Sequence, residues 1–509
     1  MRKWLEMPLI DIEKINERLD NVEEFVNSPV LREELQCILA KIRDLERILA
    51  RLTFGGANAR DLLTLKSSLL PLPDLRYYME HIESGLGKSL YKKIDTLEDI
   101  FKLLESAIRE DAPLTLKDGG MIKSGYDSEL DKYLFAKDNG NDWLSKLENG
   151  EREKTGIKNL KIKYNKIFGY CFEVTNGQKA AVPDYFIRRQ TLAACERYST
   201  AELSEIEETL LSADEKVRER EYALFCELRR QILEATERVK STADIIAQTD
   251  CLVALAEAAA QNNYTRPIVE NGDIIEIRDG RHPVVEKLPS ASFVPNDTYL
   301  DANDTLAIIT GPNMAGKSTY MRQTAVIAVM AQAGSFVPAS YARISVIDRI
   351  FTRIGASDDL ATGQSTFMVE MNEVANILNN AAKNSLLILD EIGRGTSTYD
   401  GLSIAWAILE YIVQNIHAKT LFATHYHELS ELEDNLKGVK NYHITVRQNG
   451  DDISFLRKIE KGRSPYSYGI QVAKLSGIPR GVISRAEGIL NRLNGADIVK
   501  TREEPSQGV

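Results

Sequence analysis

A run of nine residues past the middle of the chain has the composition of a phosphate-binding loop. Its glycines leave backbone N–H groups free to surround phosphate oxygens, and the N-terminus of a following helix adds a favourable dipole. The lysine of such a loop reaches the β- and γ-phosphates of a nucleotide, and the serine after it is a ligand for Mg²⁺. We therefore expect a site for ATP and Mg²⁺ at Gly311, Pro312, Asn313, Met314, Ala315, Gly316, Lys317, Ser318 and Thr319.

Two acidic residues, Asp390 and Glu391, follow the apolar run Leu386–Leu389. An aspartate at the end of a buried strand can hold Mg²⁺ directly or through water, and a neighbouring glutamate can orient or deprotonate an attacking water molecule. An exposed acidic strand end is the alternative, and the phosphate-binding loop upstream argues against it. The pair therefore predicts hydrolysis, with phosphoryl transfer to water.

A histidine has a comparable position, because His425 follows the apolar run Thr420–Ala423. An imidazole there can contact the γ-phosphate of a nucleotide. His425 and His427 could instead form a metal-binding pair, but the sequence offers no further ligand at zinc spacing. A plain surface histidine stays open for His425 and is the preferred interpretation of His427.

The elements around these residues predict an α/β domain from about residue 265. Three short apolar runs have the length of buried strands, and helical patterns separate them. We therefore expect a mainly parallel sheet that contains Leu306–Thr310, Leu386–Leu389 and Thr420–Ala423.

The rest of the chain is predicted to be mainly helical. Apolar residues mark one helical face from Ile12 to Val26, and Pro29 closes that segment. Residues 201–264 return to helix, since apolar residues from Ile206 to Ile232 recur at the spacing of a long helix or coiled-coil arm. The polar end, residues 491–509, is expected to be disordered.

A small β-rich insert interrupts the helical part. Residues 160–166 alternate apolar and polar side chains, and two predicted hairpin turns, Asn165-Lys166 and Asn176-Gly177, flank the segment Gly169–Val174. Between residues 158 and 189 seven basic residues face only two acidic ones. This excess predicts contacts with the phosphates of double-stranded DNA, without sequence reading, by Lys158, Lys161, Lys163, Lys166, Arg188 and Arg189.

The bulk composition fits a multidomain globular protein. The chain has 509 residues and a formal net charge of −11, so it is not a general nucleic-acid coat. Its five cysteines form no C-x-x-C pair, which favours a reducing cytoplasm over a disulfide framework. The sequence shows neither a signal peptide nor an apolar run long enough for a transmembrane helix, so no membrane role is expected.

Four motifs together resemble the MutS family, bacterial DNA mismatch-repair ATPases of the ABC type. They are the loop from Gly311 to Thr319, Ser365–Met371, Asp390–Gly401 and Ala423–Leu429. Outside these motifs, Arg2–Pro8 resembles the core of the family, Gly156–Arg197 its DNA clamp, and Gly280–Glu286 the entry to its ATPase domain. The resemblance covers nearly the whole chain.

The resemblance implies a role for each matching residue. Asn313, Lys317 and Ser318 would hold phosphate and Mg²⁺, Asp390 would support Mg²⁺, Glu391 would be the general base, and His425 would sense the γ-phosphate. Ser365 would reach the nucleotide of the other subunit of a homodimer. Phe293 would stack on adenine, with a plain core phenylalanine as the alternative. Val472–Arg480 reads like a helix-turn-helix, and in this family the equivalent segment serves the dimer interface.

The resemblance also implies an architecture and partners. We expect a helical core and lever at 1–140, the DNA clamp at 141–200, the returning lever at 201–264, and at 265–490 an ABC-type P-loop ATPase domain with C-terminal dimerisation helices. The expected protein is a dimeric sliding clamp in the bacterial cytoplasm, associated with the nucleoid, with a MutL-type repair protein as a further partner.

Two departures from the family pattern shape these expectations. The mismatch-reading and connector domains that usually open the family are not seen, and neither are the first core helix and the usual C-terminal extension. We therefore expect a fragment, a truncated gene product or a short form without mismatch recognition of its own. The alternatives are a truncated DNA-binding or dimerisation module and a different ABC-type DNA-maintenance ATPase, although no transporter-type signature lies near Ser365.

Overall fold

The computed structural model describes residues 1–165, 167–289, 293–312, 315–354, 366–449, 452–463 and 469–500. The chain divides into two compact units. The first unit comprises residues 1–32, 82–87 and 251–509, and the second comprises residues 33–81 and 88–250.

Helices make up most of the described chain before residue 265, and further helices alternate with strands after it. In chain order the helices are α1 (Arg2–Glu6), α2 (Ile12–Asn27), α3 (Pro29–Leu39), α4 (Leu45–Thr53), α5 (Ala59–Leu69), α6 (Leu72–Met79), α7 (Gly85–Lys93), α8 (Glu98–Ala107), α9 (Ser128–Thr155), α10 (Ala201–Glu234), α11 (Thr236–Asn262), α12 (Lys317–Ala333), α13 (Thr366–Asn380), α14 (Thr398–Tyr411), α15 (Leu432–Asn435), α16 (Gly469–Leu475) and α17 (Arg480–Lys500).

The strands of the described residues form three sheets. They are β1 (Lys161–Asn165), β2 (Gly169–Thr175), β3 (Ile187–Thr191), β4 (Cys195–Ser199), β5 (Ile268–Glu270), β6 (Ile275–Gly280), β7 (Asn296–Leu300), β8 (Leu306–Thr310), β9 (Tyr341–Ser345), β10 (Ile350–Arg353), β11 (Leu386–Asp390), β12 (Lys419–Thr424), β13 (Val439–Asn449) and β14 (Asp452–Lys461).

In the second unit, a four-stranded antiparallel sheet lies between α9 and α10 in the sequence, and its strand order is β1-β2-β4-β3. Phe172, Val174 and Tyr198 pack with Leu160 and Leu203 into a small buried core. The predicted β-rich insert is present, and β1 and β2 pair as an antiparallel hairpin, although Lys166 of the first predicted turn lies outside the described residues. The second predicted hairpin turn is wrong, because Asn176–Ala181 forms a 3-10 helix.

The helices on either side of this sheet match the predicted helical arm. Helix α10 spans 34 residues and is capped by the preceding Thr200, whose side chain accepts a hydrogen bond from the backbone N–H of Leu203. Helix α9 runs through residue 141, where the sequence placed a domain boundary, and ends at Thr155, followed by Gly156 with a left-handed backbone. The change to β-structure therefore comes at Lys161.

In the first unit, a six-stranded sheet has the order β10-β11-β12-β8-β13-β14. Neighbouring strands are parallel from β10 to β13, and only β14 is antiparallel. The three predicted strands are β8, β11 and β12, which are fully buried, as expected for strands covered on both faces. The prediction of a mainly parallel sheet after residue 265 is confirmed. A separate four-stranded sheet has the order β5-β9-β6-β7.

The start of the chain belongs to this same unit, although the sequence grouped it with the helices up to residue 140. The face of α2 is as predicted, with Ile15, Leu19 and Val22 fully buried. Its neighbours are distant in sequence, because Arg18 Nη1 donates to the carbonyl oxygen of Ala333 at 3.0 Å. An amphipathic pattern predicts a buried face but not the partner that covers it.

The end of the chain also differs from the prediction. Helix α17 continues to Lys500, ten residues into the segment predicted to be disordered. No proline interrupts residues 491–500, and the next proline is Pro505. Residues 501–509 lie outside the described residues. No described helix is both long and apolar enough to span a membrane.

Candidate functional site

The predicted phosphate-binding loop connects the buried strand β8 to α12. Two glycines allow its backbone path, since Gly311 has a φ of 136° and Gly316 has a φ of 104°. Gly316 is the N-cap of α12 and provides no side chain to cap the helix, so the first N–H groups of α12 face the loop without a side-chain acceptor from the cap. Asn313 and Met314 lie outside the described residues. A loop of this shape is suited to an anion.

Lys317 is buried at the first position of α12, with 1% of its surface exposed. Its ammonium group donates to the carbonyl oxygen of Gly311, six residues earlier. Burial lowers the pKa of Lys317, while Glu391 and Asp390 act in the opposite direction. The lysine is therefore held at the loop, beside the two acidic residues that the sequence singled out.

Ser318 and Asp390 are brought together, although 72 residues separate them in the sequence. The Ser318 hydroxyl donates to Asp390 Oδ2 at 2.5 Å. Burial raises the pKa of the Asp390 carboxyl, and the hydrogen bond from Ser318 opposes that shift. Hydroxyl and carboxylate oxygens are hard donors, so this pair fits Mg²⁺.

Glu391 follows Asp390 in a left-handed backbone conformation, with a φ of 54°. Its N–H donates to the carbonyl oxygen of Ala423 at 2.9 Å, which fixes the turn against the end of β12. Its carboxylate is paired with Arg394 at 2.6 Å. Asp390, Glu391 and Arg394 line a cavity of about 350 Å³, so the carboxylate of Glu391 borders a space that can hold water.

His425 lies just past β12, at the same edge of the sheet as Glu391. Its ring centroid is 4.2 Å from that of Tyr426. Desolvation lowers the pKa of the imidazole, which favours its neutral form. In the part of the chain that the structure describes, no three His, Cys, Asp or Glu side chains are grouped as a metal site, so the metal-pair alternative for His425 and His427 gains no support.

A second cavity of about 240 Å³ lies beside the start of α12. Phe293 and Arg457 line it, together with Gly316, Thr319 and Tyr320. The phosphate-binding loop and the candidate adenine-stacking residue Phe293 therefore border one space.

Sequence reasoning missed Arg457. The register between β13 and β14 shifts between Ile444 and Val446, and Arg457 has a φ of 56° on the irregular strand. The side-chain amide of Asn296 donates to the Arg457 carbonyl oxygen at 2.9 Å. Because a β-bulge places Arg457, no local sequence pattern could have indicated it.

Comparisons with known proteins agree with the motifs. The family model for MutS domain III matches residues 1–256, and that for MutS domain V matches residues 307–494. The chain belongs to the MutS family. A protein of Acetivibrio thermocellus named DNA mismatch repair protein MutS is 53% identical over 516 residues, and one of Ruminiclostridium cellulolyticum with the same name is 55% identical over 502 residues.

The two MutS relatives are longer than this chain. The matches cover 100% and 98% of the chain but only 59% and 58% of the respective relatives. The chain therefore spans less than two thirds of the length of these MutS proteins.

The basic residues predicted to bind DNA differ in whether an acidic side chain lies next to them. Lys158, Lys161 and Arg189 are exposed. Lys163 is paired with Glu173 at 2.7 Å, and Arg188 lies 3.8 Å from Glu196. Lys166 lies outside the described residues.

These two ion pairs reduce the positive charge that the β1-β2-β4-β3 sheet is expected to offer to DNA phosphates. Because their charges are partly compensated within the sheet, Lys163 and Arg188 contribute less free positive charge than the sequence suggests. The exposed cations Lys158, Lys161 and Arg189 remain the stronger candidates for phosphate contacts.

The predicted signature serine, Ser365, also lies outside the described residues. Helix α13 begins at the next residue, Thr366. The predicted helix-turn-helix corresponds to α16 and α17, which Gly477, with a φ of 84°, helps to separate.

Proposed function

We propose that this chain is an ABC-type P-loop ATPase that binds double-stranded DNA and acts as a homodimer in mismatch repair. The observation that carries the proposal is the contact of Ser318 with Asp390 beside the buried Lys317. This arrangement joins a phosphate loop to a carboxylate from the neighbouring part of the sheet. Membership of the MutS family supports DNA and a MutL-type repair protein as partners.

The proposed reaction is transfer of the γ-phosphoryl group of ATP to water. Mg²⁺, when bound at Ser318 and Asp390, would neutralise charge on the phosphates. Lys317 and the N–H groups at the start of α12 would orient the phosphates and stabilise charge in the transition state. Glu391 would accept a proton from the attacking water. The neutral imidazole of His425 would donate a hydrogen bond to the γ-phosphate.

The cavity beside α12 supports a binding site for the adenine base. Phe293 offers an aromatic face, and the exposed Arg457 offers a planar guanidinium group on the same cavity. A base stacked there would share the cavity with Thr319 and Gly316 of the phosphate loop.

We expect the two ATP sites of a homodimer to be composite. A heterodimer of a Lys317→Ala chain with a Ser365→Ala chain keeps one site in which both residues are intact. Mixing the two inactive variants should therefore restore part of the ATPase activity, measured by phosphate release after the heterodimer has been isolated with two affinity tags.

The matched control is a dimer in which one chain carries both substitutions and the other carries none. Each of its two composite sites lacks one of the residues, so it should stay inactive. Equal activity of the two heterodimers, or full hydrolysis by a monomer, would contradict the composite site.

DNA binding by the β1-β2-β4-β3 sheet should depend steeply on salt. Four or five neutralised phosphates give a slope of log K against log salt of about −3 to −5. Fluorescence anisotropy of a labelled duplex at several salt concentrations measures this slope.

Charge reversal tests the surface more closely. Lys161→Glu should weaken DNA binding and flatten the slope by about one or two units, because it removes one phosphate contact and adds a repulsive charge. Lys132→Glu, an equal charge change on an exposed residue of α9, is the matched control. A flat salt response, or equal effects of the two variants, would rule out this surface.

A further inference from the structure

Gly393, two residues after Glu391, is held by its backbone on both sides. Its N–H donates to Glu370 Oε1 at 2.6 Å, and its carbonyl oxygen accepts from the Tyr426 hydroxyl at 3.0 Å. Both hydrogen bonds are buried. A side chain at Gly393 is not accommodated, because its φ is 87° and a Cβ would lie 2.5 Å from the carbonyl oxygen of Gly401.

The two side chains that hold Gly393 come from distant elements. Glu370 lies on α13 and is 4% exposed, and Tyr426 follows His425 after β12. The loop that contains Glu391 and Gly393 is therefore bonded to two elements. The N–H of Gly393 bonds to Glu370 on α13, and its C=O bonds to Tyr426, the residue after His425.

Glu370 is itself anchored to the sheet. Its second carboxylate oxygen lies 3.6 Å from Arg353 on β10, and both side chains are 5% exposed. Arg353 also pairs with Glu373, one turn further along α13, at 2.9 Å. Glu373 is 51% exposed, and among the described residues the N–H of Gly393 donates to Glu370 rather than to Glu373. Of the two acidic partners of Arg353, only Glu370 thus reaches the loop of Glu391.

From this geometry we infer that Glu370 is a positioning residue for hydrolysis, which fixes the Glu391 loop by holding the N–H of Gly393, with Tyr426 as its counterpart on the carbonyl side. The inference rests on the proposed ATPase function. Glu391 has a left-handed backbone and Gly393 follows two residues later, so rotation of the Gly393 peptide would turn the carboxylate of Glu391 away from its place. Because Glu370 lies on α13, its hydrogen bond from Gly393 also connects α13 with the loop that carries Glu391. Helix α13 begins directly after Ser365.

The hydrogen bonds that hold Gly393 should affect the rate of hydrolysis but not the binding of ATP. Ser318, which donates to Asp390 from the first turn of α12, makes no hydrogen bond or ion pair with Glu370 in the described part of the chain. Loss of Glu370 should therefore leave the phosphate loop intact and disturb the position of Glu391. A buried N–H left without an acceptor shifts a local equilibrium by about tenfold to a hundredfold, which sets the expected size of the effect.

Four single variants of the full chain test the inference, with kcat from phosphate release and the Kd for ATP from equilibrium dialysis. Glu370→Ala should lower kcat about tenfold to a hundredfold and change the Kd less than about threefold. Glu370→Gln should recover much of the loss, because its amide oxygen still accepts from Gly393. Tyr426→Phe should lower kcat by a smaller factor. Glu373→Gln, the matched control, should stay within about twofold of the wild type.

The pH profile and a double variant separate positioning from other roles. The pH dependence of kcat should keep its shape in Glu370→Ala, since Glu370 does not exchange the proton. Glu370→Ala with Tyr426→Phe should lose less than the product of the single effects, because both side chains hold the same residue, Gly393. Melting temperatures identify variants that fail to fold, and Tyr426→Phe, which removes a single hydroxyl, then decides the question.

Several outcomes would overturn the inference. Unchanged kcat in Glu370→Ala or in Tyr426→Phe would do so, and so would a loss of ATP affinity equal to the loss of kcat. If the wild type hydrolyses ATP and Glu370→Ala has the same kcat, only the positioning role of Glu370 is refuted. A wild-type chain without hydrolysis would refute the proposed function together with it.

Discussion

Lys317→Ala is expected to abolish ATP hydrolysis by weakening phosphate binding. Lys317 is buried at the first position of α12, and burial lowers its pKa, although Glu391 and Asp390 favour the charged form. A single donor to developing charge contributes about a hundredfold to a thousandfold to kcat. The ammonium group also binds the ground state, so the Kd for ATP should rise as well. Equilibrium dialysis and phosphate release measure both quantities.

Lys419→Ala is the matched control for this variant. Lys419 is likewise buried, burial likewise lowers its pKa, and it begins β12, at the opposite end of that strand from Thr424. It pairs with Asp273 and lines neither of the two cavities described above. We expect ATP affinity within about twofold of the wild type. Equal losses in both variants would mean that removing any buried lysine disturbs the fold, and the role of Lys317 would be refuted.

Glu391→Gln is expected to behave differently, with ATP still bound but turnover lost. A positioned general base contributes about a hundredfold to ten-thousandfold to the rate, and glutamine keeps the shape of the side chain without its basicity. The carboxylate of Glu391 borders the cavity with Asp390 and is held by Arg394, whereas Lys317 and Ser318 form the other side of the site.

Affinity and rate together test this separation of roles. The Kd for ATP should stay within about threefold of the wild type while kcat falls by at least about a hundredfold. Glu428→Gln, which changes an exposed carboxylate near His425, should leave both quantities unchanged. A loss of affinity in Glu391→Gln equal to that in Lys317→Ala would contradict the distinct roles of base and phosphate clamp.

The parts of the fold that the sequence predicted are those with strong local patterns. The strands β8, β11 and β12 are continuous apolar runs, and the long helix α10 shows its period over many residues. The loop from Gly311 to Thr319 is local as well, because its composition alone favours phosphate. Each of these features is determined over a short stretch of chain.

The features that escaped prediction depend on tertiary contacts. Arg457 reaches the cavity of Phe293 through a β-bulge, and Glu370 meets Gly393 across 23 residues. The pairing of Lys163 with Glu173 requires the register of β1 with β2. A pattern of charge or polarity along the chain shows which groups are present but not which ones face each other.

The most direct test of the proposed function is steady-state ATP hydrolysis by the purified chain with Mg²⁺, measured with and without duplex DNA. The Lys317→Ala variant, prepared in the same way, gives the background. We predict phosphate release at least about a hundredfold above that background, and a rate that changes when DNA is added. A rate equal to that of Lys317→Ala at saturating ATP, from a folded chain that binds DNA, would show a DNA-binding module without ATPase activity and would contradict the proposal.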